Sequence, residues 1–293
     1  MRFSGSSICA GSAVLLFALA ASAQAPNTPA GPLPRMDNVK GDIFVIQNAK
    51  GDLDGIRNFG GNIAVYVTND GVILVDSKNE RMHDDVVAKV KSLTAKPIKY
   101  VVLTHNHGDH AGGAAKFAAD GATVIISEGD RQNLARAPNQ TWVPQFGYAG
   151  RAEIDLGEKR VELSQVRGHT RGDTIVYFPA ERVVCGGDLF ATSPELPFIV
   201  NYADGGNWTD LVDAVDELLK LDFDLLIPGH GPVVTKREVT NIRERMYSIR
   251  ERFRALVREK KTQEEITATL VKEFNWGTGP AAGNIPGMMQ ELR

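Results

Sequence analysis

The chain has 293 residues, of which 43% are hydrophobic and 24% are charged. This composition is typical of a globular protein with a hydrophobic core and fits one large domain or two small ones. The formal net charge of −3 provides no overall attraction to nucleic acid or to anionic membranes, so neither is predicted as a partner.

The first 25 residues, MRFSGSSICAGSAVLLFALAASAQA, contain one basic residue and an apolar run, and they end near the small-x-small motif ASA. This pattern predicts a secretory signal peptide over residues 1–23, because the apolar run is too short to span a bilayer comfortably. We therefore expect a periplasmic or secreted protein that keeps no stable membrane anchor after cleavage. Cleavage would also remove Cys9, which leaves Cys185 without a partner for an internal disulfide.

The next segment, residues 24–40, includes the proline-rich stretch PNTPAGPLP and predicts an extended linker. Ordered structure is expected to begin near Gly41. The run DIFVIQ predicts a strand, and NIAVYVTNDGVILVDS predicts a hairpin because two β-branched runs flank an Asn-Asp-Gly turn. Apolar residues at helical spacing predict a helix over residues 83–93, and IKYVVLT predicts a short buried strand.

The following part of the chain repeats this order of strands and helices. A short helix in AAKFAAD and a strand in ATVIIS precede two hairpins, over residues 151–166 and 174–188. An amphipathic helix begins at Trp208, and DLLIP predicts a further strand. Strands dominate each half and helices can cover the outside. The sequence therefore predicts an α/β (α+β) fold, a four-layer αββα sandwich with helices on two packed sheets.

The C-terminal region, residues 239–274, is predicted to be helical. It contains a capping box over residues 262–265 and an apolar stripe made of Ile242, Met246, Ile249, Phe253 and Leu256. Arginines interleave with glutamates here, which is typical of a solvated helix face rather than of a nucleic-acid or membrane site. The residues after Trp276 are rich in glycine and proline and are expected to be irregular.

Three of the six histidines fall in one stretch, THNHGDHAGG, directly after a predicted strand. His105 and His107 can share one metal ion, because neutral imidazole is the common protein ligand of zinc. Asp109 and His110 are adjacent to each other, so their side chains diverge from the first pair and are placed for a second ion. Gly108 is expected to allow a sharp turn between the two pairs.

Three further candidate ligands follow other strands: His169 in RGHTRGD, Asp188 in CGGDLF and His230 in PGHGP. A histidine at a glycine-flanked strand end is poorly placed for a core and well placed for a metal. Either histidine alone would more readily be structural, but together with THNHGDH they predict a metal centre. His83, on the apolar stripe of a helix, and Cys185, within a strand, are predicted to pack in the core.

These motifs and their order resemble the metallo-β-lactamase superfamily over roughly residues 41–232, through VILVDS, THNHGDHAGG, GHTRGD, GGDLF and PGHGP. The resemblance implies a metallo-β-lactamase domain over residues 41–236 and a helical extension over residues 237–293 packed on it. It implies a dinuclear centre bridged by Asp188, with Asp76 supporting the ligand loop through hydrogen bonds. The implied ligands are His105, His107 and His169 for the first metal, and Asp109, His110 and His230 for the second.

Such a centre predicts a hydrolase that cleaves an acyl bond of a small molecule: a lactam, a lactone, an ester or a thioester. Two Zn²⁺ ions per chain would share a bridging hydroxide at neutral pH, and Asp109 would help to steer it as a catalytic residue. The bridging carboxylate of Asp188 makes the site rich in oxygen, so manganese or iron are alternatives to zinc.

The resemblance leaves the substrate open. In the best-known secreted lactamases a cysteine ligand follows two glycines, and a lysine three residues later grips the drug carboxylate; here Asp188 and Ala191 occupy those places. The bridging aspartate is similar to the branch of glyoxalase II and the lactonases. The alternatives are therefore β-lactamase activity, a glyoxalase II-like thioesterase, or a persulfide dioxygenase with one iron. Phe198, Tyr202 and Trp208 either shape a pocket or pack the loop after Asp188.

Overall fold

The computed structural model describes residues 32–49, 52–138, 140–191 and 198–292. The predicted signal peptide and the first part of the predicted linker lie outside these residues. None of the described helices combines the length and the apolar character needed to cross a bilayer.

Within the described residues the strands form two sheets. The first sheet follows chain order and contains β1 (Arg35–Lys40), β2 (Ile43–Gln47), β3 (Ile63–Val67), β4 (Val72–Val75), β5 (Ile98–Val102), β6 (Thr123–Ser127) and β7 (Phe146–Tyr148). The second has the order β13-β12-β11-β10-β9-β8 and contains β8 (Arg151–Leu156), β9 (Lys159–Gln165), β10 (Thr174–Phe178), β11 (Val183–Gly187), β12 (Leu225–Pro228) and β13 (Val234–Thr235). Strands β4 to β7 pair in parallel, as do β11 and β12.

The helices connect and cover these sheets. They are α1 (Leu53–Phe59), α2 (His83–Leu93), α3 (Gly108–Ala111), α4 (Ala114–Ala119), α5 (Glu128–Arg136), α6 (Trp208–Leu219), α7 (Lys236–Arg258), α8 (Gln263–Phe274) and α9 (Asn284–Glu291). Short 3-10 helices cover Glu80–Met82 and Gly279–Gly283.

Among the described residues, three apolar clusters separate four layers, and the alternation of strand residues explains these clusters. Along β3, Ala64 and Tyr66 face the second sheet, whereas Ile63 and Val65 face α2, α4 and α5. Because successive side chains of a strand point to opposite faces, an uninterrupted apolar strand supplies two cores at once. The predicted αββα sandwich is confirmed.

The outer face of the second sheet packs against α6 to α9. The predicted apolar stripe of α7 lies in this cluster, with Met246, Ile249 and Phe253 fully buried. The predicted capping box at the start of α8 is present, because Thr262 accepts from the backbone of Glu265 and Glu265 accepts from that of Thr262.

Two expectations about the ends of the domain are wrong. Strand β1 already lies inside the predicted linker, because backbone pairing with β2 builds an edge strand that needs no apolar pattern. The residues after Trp276 are largely helical, with Ile285 and Met288 of α9 buried in the helical cluster. Pro286 does not prevent this helix, because it lies in the first turn of α9, where proline is tolerated.

Candidate metal centre

The predicted ligands gather at one edge of the two sheets, beyond the carboxyl ends of several strands. His105, His107 and Asp109 follow β5, Asp188 directly follows β11, and His230 follows β12 after Gly229. Neighbouring parallel strands end at the same edge, so the fold brings these distant segments together.

The first group consists of His105, His107, His169 and Asp188, whose ligand atoms lie within 4.8 Å of one another. Nδ1 of His107 lies 3.1 Å from Nε2 of His105 and 3.0 Å from Nε2 of His169. Three imidazole nitrogens and one carboxylate oxygen therefore converge on one point, which is a donor set suited to zinc.

The second group consists of Asp109, His110 and His230, again with ligand atoms within 4.8 Å of one another. Nε2 of His110 lies 3.2 Å from Nε2 of His230, which in turn lies 3.2 Å from Oδ2 of Asp109. Asp109 and His110 thus diverge from His105 and His107, as their spacing predicts.

Asp188, a member of the first group, also faces the second group. Its Oδ1 is 3.3 Å from Nε2 of both His110 and His230, and its Oδ2 is 3.7 Å from Nε2 of His169 and 4.0 Å from Nε2 of His105. Oδ1 is buried and makes no hydrogen bond to any part of the chain that the structure describes. One carboxylate therefore presents one oxygen to each group.

Comparison with known proteins agrees with this geometry. The family model of the Metallo-beta-lactamase superfamily matches residues 56–230, which is more than half of the chain. The chain belongs to the metallo-β-lactamase superfamily. A type 2 metallo-β-lactamase of Bacillus cereus is 26% identical over 184 residues, which cover 59% of this chain and 67% of that protein.

The chain is also similar to a solved structure and to a subunit of an enzyme named as an O-demethylase. The solved metallo-β-lactamase of Pontibacter korlensis superposes with a TM-score of 0.64 at 20% identity, covering 73% of this chain and 99% of that one, which shows a shared fold. The alpha subunit of 2,4-dinitroanisole O-demethylase from Nocardioides sp. (strain JS1661) is 31% identical over 146 residues, 49% of this chain. The match spans 43% of that subunit, less than half of its length.

Membership of the metallo-β-lactamase superfamily implies binding of divalent metal, and the surroundings of the histidines fit that role. His105 Nδ1 lies 3.1 Å from the hydroxyl of Thr104, and His169 Nδ1 lies 2.7 Å from the carbonyl oxygen of Ile199. A partner on one ring nitrogen orients the imidazole and leaves the other nitrogen for a cation.

Asp76 occupies the supporting position that the superfamily resemblance implies. Its Oδ1 accepts from the backbone N–H of Thr104 at 2.7 Å, and its Oδ2 lies 2.8 Å from Nδ1 of His110. Asp76 therefore ties the start of the ligand loop to a ligand of the second group. Its backbone φ of 69° places it in the left-handed region, which turns the chain sharply at the end of β4.

Two residues on His107 were missed by sequence reasoning. Oδ2 of Asp204 lies 3.1 Å from Nε2 of His107, and the amide of Asn201 lies 2.7 Å from the same nitrogen. The pair is also joined internally, because Asn201 donates to Asp204 at 2.9 Å. The polar run NYAD was the available signal, but nothing in its spacing points to a histidine nearly a hundred residues earlier.

Electrostatics differ between the two groups. Burial lowers the pKa of His169 to about 4, and burial together with neighbouring imidazoles lowers that of His105 well below its usual range. Both are therefore neutral at pH 7, the form that binds metal.

In the second group, the nearby carboxylates favour protonated imidazole, in contrast to the first group. Burial disfavours the charged form of His110, but the carboxylates of Asp109, Asp188 and Asp76 outweigh it and raise the pKa of His110 well above its usual range. Burial likewise opposes ionisation of Asp109, yet His110 and His230 lower its pKa to about 2. A cation that binds here must displace protons from imidazole.

Glycines shape the centre at positions other than the expected one. Gly108 has an ordinary helical backbone, and a Cβ there would contact nothing within 4 Å, so it is not needed for the turn. Gly61 and Gly229 are needed, because a Cβ at Gly61 would overlap the ring of His110 and one at Gly229 would overlap Oδ1 of Asp188.

The residues predicted to lie outside the centre do so. His83 is 8% exposed, and its ring centroid lies 4.6 Å from that of Phe117. Cys185 is buried between the sheets. Phe198 and Trp208 are buried in the helical cluster, and Tyr202 packs against it, so these aromatic residues pack the loop.

Lys78 is a buried residue beside the centre that the sequence did not single out. Its side chain is fully buried, and Nζ donates to the carbonyl of Gly61 at 2.6 Å and to Oδ1 of Asn48 at 2.9 Å. Gly61 in turn donates its N–H to the carbonyl of Asp109 at 2.8 Å. Lys78 therefore holds the Gly61 segment against His110. Burial lowers the pKa of Lys78 to about 7.

This burial predicts a pH-dependent contribution to stability in the metal-free protein. An unfolded lysine keeps its proton up to about pH 10.4, whereas folded Lys78 loses it near pH 7, so folding becomes more favourable as pH rises between these values. The unfolding free energy of wild type minus that of Lys78→Met should therefore rise by up to ~1.4 kcal/mol per pH unit between pH 7 and pH 9.5. Urea denaturation measures it.

Lys116→Met is the matched control, since the side chain of Lys116 is 45% exposed. Its difference from wild type should stay flat over the same pH range. A flat difference for Lys78→Met as well would show that Lys78 keeps its proton in the folded state.

Proposed function

We propose that this chain is an exported hydrolase that uses two divalent cations to cleave an acyl bond of a small molecule. The observation that carries the proposal is the placement of Asp188, with one carboxylate oxygen toward each ligand group. A site for a single ion would not need a second complete group on the far side of that carboxylate. The three histidines of the first group favour zinc, with manganese or iron as alternatives.

Two cations bound here would lower the pKa of a water held between them and stabilise the negative charge that develops on an attacked acyl oxygen. The protein contributes orientation and charge. Thr104 and the Ile199 carbonyl fix the rings of His105 and His169, so the centre is preorganised. Asp109 is ionised at neutral pH, and its carboxylate is suited to accept a proton from the attacking water.

Two features bear on the substrate. The similarity to a type 2 metallo-β-lactamase supports a lactam as substrate. Against a lactam, Asp188 and Ala191 occupy the positions at which the best-known secreted lactamases have a cysteine and a lysine. A lactone or an ester fits the bridging aspartate and the predicted export better than a cytosolic thioester. A persulfide dioxygenase with one iron would leave the second group, Asp109, His110 and His230, without a use.

The test combines metal content with hydrolysis of a panel. The panel contains nitrocefin, lactones, esters, thioesters and phosphodiesters, together with 2,4-dinitroanisole because of the O-demethylase relative. We expect two metal ions per chain and hydrolysis of at least one acyl substrate. His107→Ala should abolish the hydrolysis, whereas His83→Ala, a histidine outside both groups, should retain it.

One iron per chain with oxygen uptake would overturn the hydrolase assignment. Cleavage of 2,4-dinitroanisole without any acyl hydrolysis would overturn the acyl part alone. Export is tested separately, by fractionating cells that express the full chain: recovery in the cytoplasm with residues 1–23 retained would contradict it.

A further inference from the structure

The loop that carries the supports of the first ligand group is attached to the C-terminal helix α9. Asn284, at the start of α9, is 1% exposed. Its Nδ2 donates to the carbonyl of Phe198 at 2.7 Å, and its Oδ1 accepts from the N–H of Val200 at 3.0 Å. One side chain thus pairs with the backbone on both sides of Ile199, in the manner of a neighbouring strand.

Ile199 is the residue whose backbone orients His169. Its carbonyl oxygen lies 2.7 Å from Nδ1 of His169, within hydrogen-bond distance. The next contacts along the loop also reach the first group, since Asn201 donates its N–H to the carbonyl of His169 at 2.8 Å and its side chain lies on His107. The two hydrogen bonds of Asn284 therefore fix a segment that contacts two of the three histidines of the first group.

Two further residues on the same face of α9 contact the loop that follows Ile199. One turn along, Gly287 lies so close to Tyr202 that a Cβ would overlap its ring. Two turns along, Glu291 accepts from the hydroxyl of Tyr202 and from the N–H of Trp208, each at 2.7 Å. Residues spaced by three and four positions share one helix face, so Asn284, Gly287 and Glu291 act as a single contact surface.

The backbone of the loop needs such support. Phe198 has a φ of 55°, in the left-handed region that non-glycine residues adopt at a cost. Its carbonyl is the one that accepts from Asn284, and the ring centroid lies 5.8 Å below the guanidinium of Arg245 on α7. The C-terminal helices therefore hold the conformation from which the Ile199 carbonyl points at His169.

We propose that Asn284 is a positioning residue of the first ligand group, and that α9 is the element through which the C-terminal extension acts on the centre. Asn284 acts through the Ile199 carbonyl on the orientation of His169. The inference rests on the proposed function, because it requires that His169 binds a cation. It assigns to the C-terminal extension a role in metal affinity in addition to its packing.

The experiment measures Zn²⁺ affinity by competition with a chromophoric chelator in two backgrounds. His230→Ala leaves the first group complete, and His169→Ala leaves the second group complete. Asn284→Leu should weaken the remaining ion about 10- to 100-fold in the His230→Ala background, the range for loss of an outer partner of a metal ligand. In the His169→Ala background, Asn284→Leu should leave the Zn²⁺ affinity of the second group unchanged, because the imidazole that Asn284 positions through the Ile199 carbonyl is already absent.

Met288→Ala is the matched control. Met288 lies on the same helix and is 2% exposed, so its truncation loosens α9 without removing a hydrogen bond to the loop. It should lower stability and leave both affinities near those of the parent. Asn284→Asp should give a smaller loss than Asn284→Leu, because a carboxyl kept neutral by burial can still accept from Val200 and donate to Phe198. It serves if the leucine variant does not fold.

Three results separate the possibilities. Equal losses for Asn284→Leu and Met288→Ala would overturn the inference, because general loosening would then explain them. Equal losses in the two backgrounds would overturn it as well, since the effect would not pass through His169. If the wild-type chain binds no divalent cation, the proposed function itself is overturned. If it binds two ions and Asn284→Leu binds them with the same affinity, only the inference about Asn284 is overturned.

Discussion

Asp188→Asn is expected to abolish tight binding of the second metal ion and to reduce hydrolysis by more than ~100-fold, beyond the 10- to 100-fold loss typical of an outer partner. Asparagine keeps the shape of the side chain and removes its charge. Since Oδ1 and Oδ2 face different ligand groups, one substitution affects both. Metal content after dialysis and kcat/KM on the substrate found in the panel measure the effect.

The reason for the large effect is electrostatic. Burial opposes ionisation of Asp188, but the imidazoles of His230 and His110 outweigh it and hold its pKa well below the usual range. The folded protein therefore maintains a buried carboxylate between two groups of nitrogens, where a neutral amide cannot replace its charge. Asp84→Asn is the control, because that side chain is 98% exposed. Two tightly bound ions in Asp188→Asn would contradict the bridging arrangement.

Gly229→Ala is expected to be almost as damaging, although it removes no ligand. The added methyl would overlap Oδ1 of Asp188 and would lie 2.8 Å from the backbone carbon of Gly187. The Gly187 backbone is held in place, since Gly229 donates its N–H to the carbonyl of Gly187 at 2.8 Å where β11 and β12 end, so the methyl can be accommodated only by moving the Asp188 carboxylate. We expect loss of the bridging geometry, loss of bound metal and a stability decrease of ~1–3 kcal/mol from overpacking.

Gly108→Ala provides a matched control within the ligand loop itself. A Cβ at Gly108 has open space around it, and the backbone there is already helical. This variant should retain both metal ions and hydrolysis, even though Gly108 lies between His107 and Asp109. Metal content and urea denaturation of the two variants compare them directly. Wild-type metal binding in Gly229→Ala would show that the carboxylate of Asp188 can lie elsewhere.

The sequence determined the layers of the fold and the identity of the gathered ligands. Apolar alternation and helical periodicity are local patterns, and burial follows from them with little tertiary information. The string THNHGDH is also local, and the remaining ligands follow strands that end at one edge. For this reason all seven predicted ligands lie in the two groups that the structure forms.

Only the tertiary structure decided what surrounds those ligands. Asn201 and Asp204 on His107, Asn284 beside Ile199, and Gly229 against Asp188 are contacts between segments that no short-range pattern relates. The same holds for β1, whose pairing uses backbone groups common to every residue. Periodicity along the chain specifies which face a side chain occupies. The neighbour it meets there depends on how separate layers pack, and that information is spread over the whole sequence.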